Sequence, residues 1–212
     1  MKKIIVLLLL AGAGYWGYRN YDSLLSGPGA FDAEGKPKVL LFVMDGCGAY
    51  CADVAEKLKS RNIPFEEINA STDEGRGRFE KFGDNRLPLT VVGRKTVAGN
   101  DLPAIDTALA EVMGIEVLTP AEQQAMGRHF DEQGKPRVVV YGTSWCPYCK
   151  RMREHLDGRK IAYQYIDVEQ DSDGMRDYGI LRGRGYPLVF VGFRRIDGFD
   201  ANKVDQVVKE LL

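Results

Sequence analysis

The chain repeats itself at an interval of 99 residues, and this limits the fold more than any other feature. Phe31-Asp32 recurs as Phe130-Asp131, and Gly35-Lys36-Pro37 recurs as Gly134-Lys135-Pro136. Cys47 and Cys146, Pro88 and Pro187, Gly99 and Gly198, and Asp101 and Asp200 keep the same interval. Between them it drops by one: Cys51 to Cys149 and Ile63 to Ile161 are 98 apart. The first copy therefore carries one extra residue between its cysteines, and the second regains one before its proline. Matches that hold register across two compensating shifts are not a coincidence of composition. Two homologous units of about 85 residues each follow.

Each copy reads as strand, helix, strand, helix, hairpin, helix. In the second copy Val138 to Tyr141 is an unbroken apolar run, suited to a strand covered on both faces. Residues 147–157 are helix formers with Met152 and Leu156 on one face. Residues 161–168 alternate as a strand, and 173–182 suit a short helix. Residues 188–191 and 193–196 flank Gly192 as a hairpin. Residues 202–212 form a closing helix with Val204, Val207, Val208 and Leu211 on one side. This order predicts a small mixed sheet with helices on both sides. Thr119-Pro120-Ala121-Glu122 is a capping-box arrangement with proline at the first helical position, so a helix to about Gly127 is expected between the copies. The expected division is residues 1–26 as an N-terminal segment, 27–118 as the first domain, 119–134 as a helical linker and 135–212 as the second domain.

The four cysteines form two close pairs, Cys47/Cys51 and Cys146/Cys149. So few thiols cannot staple a chain of 212 residues, and close pairing favours redox chemistry. Only two histidines occur, His129 and His155, neither at ligand spacing from a cysteine. Both are expected to be solvated polar residues, and no metal site is expected. A formal net charge of −1, without a basic cluster, argues against nucleic-acid binding.

Ser144-Trp145-Cys146-Pro147-Tyr148-Cys149-Lys150 lies where a strand ends and a helix begins. Free N–H groups and the positive dipole end favour a thiolate on Cys146. Lys150 and Arg151 add positive charge nearby. Pro147 suits the first helical turn because its missing N–H is not needed there. Cys149, one turn on, is placed to attack a mixed disulfide on Cys146. Cys146 is thus expected to be the exposed nucleophile and Cys149 the resolving thiol. A structural or metal-binding C-x-x-C is the alternative, and it lacks a second ligand pair at suitable spacing.

This segment resembles the dithiol motif of the glutaredoxin family. The likeness covers residues 135–212 well and 36–118 more loosely. It implies an α/β fold of two tandem thioredoxin-fold, glutaredoxin-like domains, each a four-stranded mixed sheet flanked by helices. Gly185-Tyr186-Pro187-Leu188-Val189-Phe190 resembles the family's cis-proline segment, where the residue before the proline offers its backbone to substrate. A trans proline at a strand start is the alternative. Gly198-Phe199-Asp200 resembles the end of the family's Gly-Gly-x-Asp loop, which holds the γ-glutamyl end of glutathione. Asp200 could equally act as a helix N-cap. The resemblance implies a substrate groove of Tyr148, Tyr186, Pro187, Gly198, Phe199 and Asp200. It implies no bound cofactor, with glutathione as co-substrate. Implied partners are protein disulfides or glutathionylated proteins, with glutathione or a thioredoxin-like protein as reductant. Two departures stand out: Asp197 replaces the first glycine of the loop, and Thr143 replaces a lysine often found three before the first cysteine. Both remove features that help hold an anionic tripeptide.

In the first copy Pro88 matches the cis-proline position and Gly99-Asn100-Asp101 the ligand loop. The cysteine turn, Asp45-Gly46-Cys47-Gly48-Ala49-Tyr50-Cys51, has lost its proline and stands between Asp45 and Asp53, whose charge disfavours a thiolate. Positions i and i+4 on a helix are about 6 Å apart at Cα, within reach of a disulfide. Three readings stand for Cys47, Cys51 and Pro88: a degenerate copy with a structural or binding role, a second redox centre, or a monothiol or cluster site at Cys47.

Met1-Lys2-Lys3 precedes a wholly apolar run, Ile4 to Leu10, and the weaker run continues to Tyr18. Fifteen residues of helix span about 22 Å, short of the roughly 30 Å bilayer core. A cleaved signal peptide fits, with Ala11-Gly12-Ala13 as the small-residue site. A retained signal-anchor also fits, since Tyr15, Trp16 and Tyr18 suit the interface. A buried N-terminal helix is the remaining alternative. Either export reading places the domains in the periplasm or on the periplasmic side of the inner membrane, with membrane contact only through this segment. The function expected is thiol–disulfide oxidoreduction by a dithiol mechanism in the cell envelope. The alternative is a non-enzymatic redox-sensing or partner-binding envelope module.

Overall fold

The computed structural model describes residues 28–212, so the N-terminal segment expected to be an export signal lies outside the described residues. Among the described residues no helix is long and apolar enough to cross a membrane.

The first unit runs β1 (Val39–Val43), α1 (Ala49–Ser60), β2 (Glu66–Asn69), α2 (Asp73–Phe79), β3 (Leu89–Val92), β4 (Lys95–Ala98) and α3 (Leu102–Met113). After a 3-10 turn at Ile115–Val117 comes α4 (Pro120–Gly127). The second unit repeats the order as β5 (Val138–Gly142), α5 (Pro147–Gly158), β6 (Tyr163–Asp167), α6 (Ser172–Ile180), β7 (Leu188–Val191), β8 (Arg194–Asp197) and α7 (Ala201–Leu211). The sheets have the same strand order, β2-β1-β3-β4 and β6-β5-β7-β8. In each, the first pair is parallel and the other two are antiparallel. The 99-residue interval survives as register: Val39 faces Val92, and Val138 faces Val191. Small bridges at Phe31–Pro37 and Phe130–Pro136 repeat it again. These are the two four-stranded mixed sheets expected of tandem thioredoxin-fold domains.

β5 is apolar on both faces because both are covered. Val138 and Val140 pack with Met152 and Leu156 of α5 and Val204 and Val207 of α7. Val139 and Tyr141 face the other way, toward Tyr178 of α6 and toward Ala125 and Met126 of α4. The helix between the copies is therefore more than a spacer. Its capping box is formed, with Thr119 and Glu122 bonded reciprocally, and its apolar side completes the second core. Ala110 of α3 and Leu118 join the same cluster, so apolar packing is continuous between the units.

His129 departs from expectation. It is fully buried, stacked on Phe190 at 4.2 Å between ring centroids, with Nε2 3.1 Å from Tyr141 Oη. The loop after α4 is held beneath the sheet by Arg137 N–H donating to His129 O, and this carries the ring inside. The local sequence there is polar, and only the long-range pairing with Phe190 and Tyr141 makes the site apolar. His155 is half-buried and meets Asp205 of α7 at 2.7 Å.

Candidate functional site

The second cysteine pair sits at the C-terminal end of β5. Cys146 is the N-cap of α5, with Pro147 as the first helical residue. Its Sγ accepts a hydrogen bond from the N–H of Cys149 at 3.2 Å. A thiol thus occupies the place of a serine or aspartate cap, at the positive end of the helix. Both thiols are free, and both are buried. Cys146 keeps 5% exposure and Cys149 none, which corrects the expectation of an openly exposed nucleophile. The cause is the cap: to reach the Cys149 N–H, the Cys146 sulfur turns in over the helix end. Burial, and the neighbouring Cys146, push the Cys149 thiol well above the ordinary range. The rim is open instead, since Trp145 is 65% exposed and Tyr148 is 53% exposed.

The other expected groove residues gather at this end of the sheet. The Tyr186–Pro187 peptide bond is cis. Tyr186 stands edge-on to Trp145, with 6.3 Å between centroids. Gly198 N–H donates to Pro187 O at 2.8 Å, tying the Gly198-Phe199-Asp200 loop to the proline. Arg151 lies 4.4 Å over the Phe199 ring and 5.8 Å from that of Tyr148, so one cation links the two aromatics. Lys150 reaches Glu154 at 3.8 Å on the surface. Asp200 caps α7, accepting from Lys203 N–H at 3.0 Å.

Sequence reasoning missed three contributors. Glu169 accepts from Trp145 Nε1 at 3.0 and 3.1 Å and holds that exposed ring in place. Tyr165 donates to Thr143 O at 2.9 Å beside Cys149. Arg184 lines the cleft next to Tyr186. Tyr165 is implied by the alternation of β6, but nothing local marks Glu169 or Arg184.

The first pair is built differently. Cys47 and Cys51 form a disulfide with 5.6 Å between Cα atoms. The extra residue, Gly48, takes the N-cap at φ 57°, where it offers no side-chain cap. A left-handed φ favours glycine here. The insertion thus moves the first cysteine one place off the helix cap that Cys146 holds. Asp45 accepts from Asn69 Nδ2 at 2.8 Å. The Leu87–Pro88 bond is cis, and Gly99 N–H donates to Pro88 O at 2.7 Å, as in the second unit. A cleft of about 480 Å³ opens over the disulfide.

Comparison with known proteins agrees with this geometry. The glutaredoxin family model matches residues 138–196. A glutaredoxin from Ricinus communis is 32% identical over 68 residues, covering 30% of this chain and 67% of that protein. The chain belongs to the glutaredoxin family. Mycoredoxin 1 from Corynebacterium glutamicum is 47% identical over 36 residues, 17% of this chain and 43% of that protein. The chain thus spans less than half the length of that relative. Glutaredoxin C1 from Populus tremula x tremuloides, a solved structure, covers 44% of this chain and all of its own at 24% identity, with a TM-score of 0.36. The glutaredoxin family match falls wholly within the second unit, on the unit whose first cysteine caps its helix.

Proposed function

We propose that the chain is an exported thiol–disulfide oxidoreductase working at Cys146 by a dithiol mechanism. The observation that carries this reading is the Cys146 sulfur at the N-cap of α5, bonded to the N–H of a buried partner thiol. The Cys146 thiolate attacks one sulfur of a protein disulfide or a glutathione mixed disulfide. One S–S bond forms, the old one breaks, and the departing thiolate takes a proton. Cys149 then loses its proton and attacks Cys146, releasing the second thiol and closing Cys146–Cys149. The substrate gains two electrons and the dithiol loses two. Two glutathione thiols, or one thioredoxin-like dithiol, return the pair to its reduced form. Burial of Cys149 keeps it protonated until the mixed disulfide stands beside it.

In this reading Tyr186 pairs its backbone with substrate, and Trp145, Tyr148 and Phe199 form the walls. Arg151 and Asp200 face the ends of glutathione. The first unit serves as a degenerate copy with a structural or binding role, since its insertion removes Cys47 from the cap. The basic start and apolar run of residues 1–18 support an envelope location. The test is turnover of hydroxyethyl disulfide with glutathione by wild type and Cys146→Ser. Loss of activity in the variant is expected, and full activity would sink the assignment.

A further inference from the structure

We propose that Tyr165 is a catalytic residue of the resolving step. Its hydroxyl turns its proton from the Thr143 carbonyl to the Cys149 sulfur and holds the negative charge there while Cys149 attacks. This deepens the function proposed above and rests on it.

Burial sets the problem. Cys149 has no exposed surface, and burial pushes its thiol up to about 12. The thiolate is the form that attacks a disulfide. Charge must therefore appear on a sulfur that water does not reach, and a fixed donor has to meet it. Tyr165 is placed to do so. Its hydroxyl lies within hydrogen-bonding reach of the Cys149 sulfur and, with the Thr143 backbone, favours the thiolate. Both atoms sit against the bare side of Gly142, where a Cβ would stand 2.7 Å from the sulfur and 2.8 Å from the hydroxyl oxygen. At rest the hydroxyl donates to Thr143 O at 2.9 Å. Rotation about its C–O bond redirects the proton without moving a heavy atom. Burial holds the phenol itself up to about 12, so it stays a donor near neutral pH.

Arg153 of α5 backs the phenol. Its guanidinium lies 4.7 Å over the Tyr165 ring, and its buried Nε has no hydrogen-bond partner among the described residues. A cation on the ring face draws electron density from the oxygen and makes the hydroxyl a better donor. Cys146 from α5, Asp167 from β6 and Tyr186 from the proline segment also face the two groups.

The repeat supplies a comparison. Tyr165 pairs with Val140 as Glu67 pairs with Leu41, so the two positions are equivalent. Gly142, Arg153 and Tyr165 thus correspond to Val43, Ala55 and Glu67. All three differ in the unit whose cysteines are joined as a disulfide. Val43, Ala55 and Glu67 line the cleft over that disulfide, with a carboxylate where the phenol would be. Strand order and both cis prolines are the same in the two units. The three residues therefore go with the free resolving thiol and not with the fold.

The step balances. Cys149 loses its proton and bonds to Cys146 Sγ, the Cys146–glutathione bond breaks, and the departing glutathione thiolate takes a proton. Tyr165 keeps its own.

The test uses the full chain, prereduced, mixed with glutathione disulfide and quenched in acid for mass spectrometry. In a Cys149→Ser background, Tyr165→Phe should not slow formation of the mixed disulfide on Cys146. With Cys149 present, Tyr165→Phe should resolve that disulfide about tenfold more slowly or worse, the effect of one hydrogen bond to a charged group. The mixed disulfide should then accumulate. The variant should need about one pH unit more to match the wild-type resolution rate. Arg153→Met should slow resolution less, and should add nothing once the hydroxyl is gone. Unchanged resolution in Tyr165→Phe would overturn the proposal. So would equal slowing of both steps, which would make the phenol a packing residue. An Arg153→Met effect undiminished without the hydroxyl would remove Arg153 from the arrangement. If wild type forms and resolves the mixed disulfide and Tyr165→Phe matches it, only this inference fails. If wild type forms none on Cys146, the proposed function falls, and this inference with it.

Discussion

The backbone N–H of Cys149 donates to the Sγ of Cys146 across 3.2 Å. This one bond makes the two thiols unequal. It makes the first sulfur the cap of the helix, while the second sulfur is fully buried.

Alkylation should read that inequality. Burial holds the Cys149 thiol above the usual range. Each unit of pKa costs about tenfold in thiolate at neutral pH. Iodoacetamide at pH 7 should therefore modify Cys146 first, with Cys149 slower by more than about tenfold. Cys149→Ser should trap a mixed disulfide with glutathione on Cys146, visible as a mass increase. Equal labelling of both thiols would refute the assigned order.

Gly142 is the closest test of the pocket around Cys149. A Cβ there would stand 2.7 Å from Cys149 Sγ and 2.8 Å from Tyr165 Oη. Gly142→Ala must displace one or both. We expect a loss of about 1–3 kcal/mol in urea denaturation, the usual cost of overpacking. Resolution by Cys149 should slow more than attack by Cys146, because the displaced atom is the resolving sulfur. Unchanged stability and unchanged resolution would mean that the pocket is looser than its packing.

Arg61 tests the joint between α1 and α4. Its side chain, 6% exposed, meets Glu122 at 2.7 Å and donates to Val117 O at 3.1 Å. Asp106 Oδ1 lies 2.9 Å away, in a contact too bent to count as a hydrogen bond. Lys57 holds the other Asp106 oxygen at 2.8 Å. Burial lowers the Lys57 pKa and raises that of Asp106, so the cluster sits in a poorly solvated place. Arg61→Met leaves Glu122 with only its Thr119 bonds and Asp106 with only Lys57, and should cost about 3–5 kcal/mol. Adding Glu122→Gln should return part of that loss. An exposed pair would cost under about 1 kcal/mol, and a result of that size would show the cluster to be solvated.

The repeat made most of this architecture legible. The 99-residue interval carries the strand order, the proline segment and the ligand loop, because each depends on a few local residue types. One extra residue between Cys47 and Cys51 was readable as an insertion. Its consequence, the shift of Cys47 off the helix cap, needed the dihedral angle and the capping bond. The apolar side of α4 gave no sign of which sheet it would cover. Arg153 and Tyr165 meet across two elements, and nothing periodic links them. His129 lies in polar surroundings along the sequence, and its burial comes from aromatic partners far away.

His129 yields the sharpest pH dependence. Burial depresses its pKa from an ordinary 6.5 to about 3. Nε2 meets Tyr141 Oη, and Nδ1 has only a poorly aligned contact with the Gly192 backbone, too weak to offset the burial. The neutral ring is thus the folded form. Between pH 6.5 and about 3 the unfolded chain binds a proton that the folded chain refuses. The unfolded state then holds more protons, so stability rises with pH across this window and falls as the solution is acidified. The slope from this residue alone reaches about 1.4 kcal/mol per pH unit. His129→Phe keeps the stack on Phe190 and removes the titration. At pH 7 it should cost about 1–3 kcal/mol, since Tyr141 Oη loses its partner. At pH 4 the deficit should shrink or reverse, because only wild type pays the protonation penalty. Urea denaturation of both proteins at pH 7, 6, 5 and 4 measures the difference, in which carboxylates common to both cancel. Parallel curves would show that His129 titrates normally, and hence that water reaches the ring.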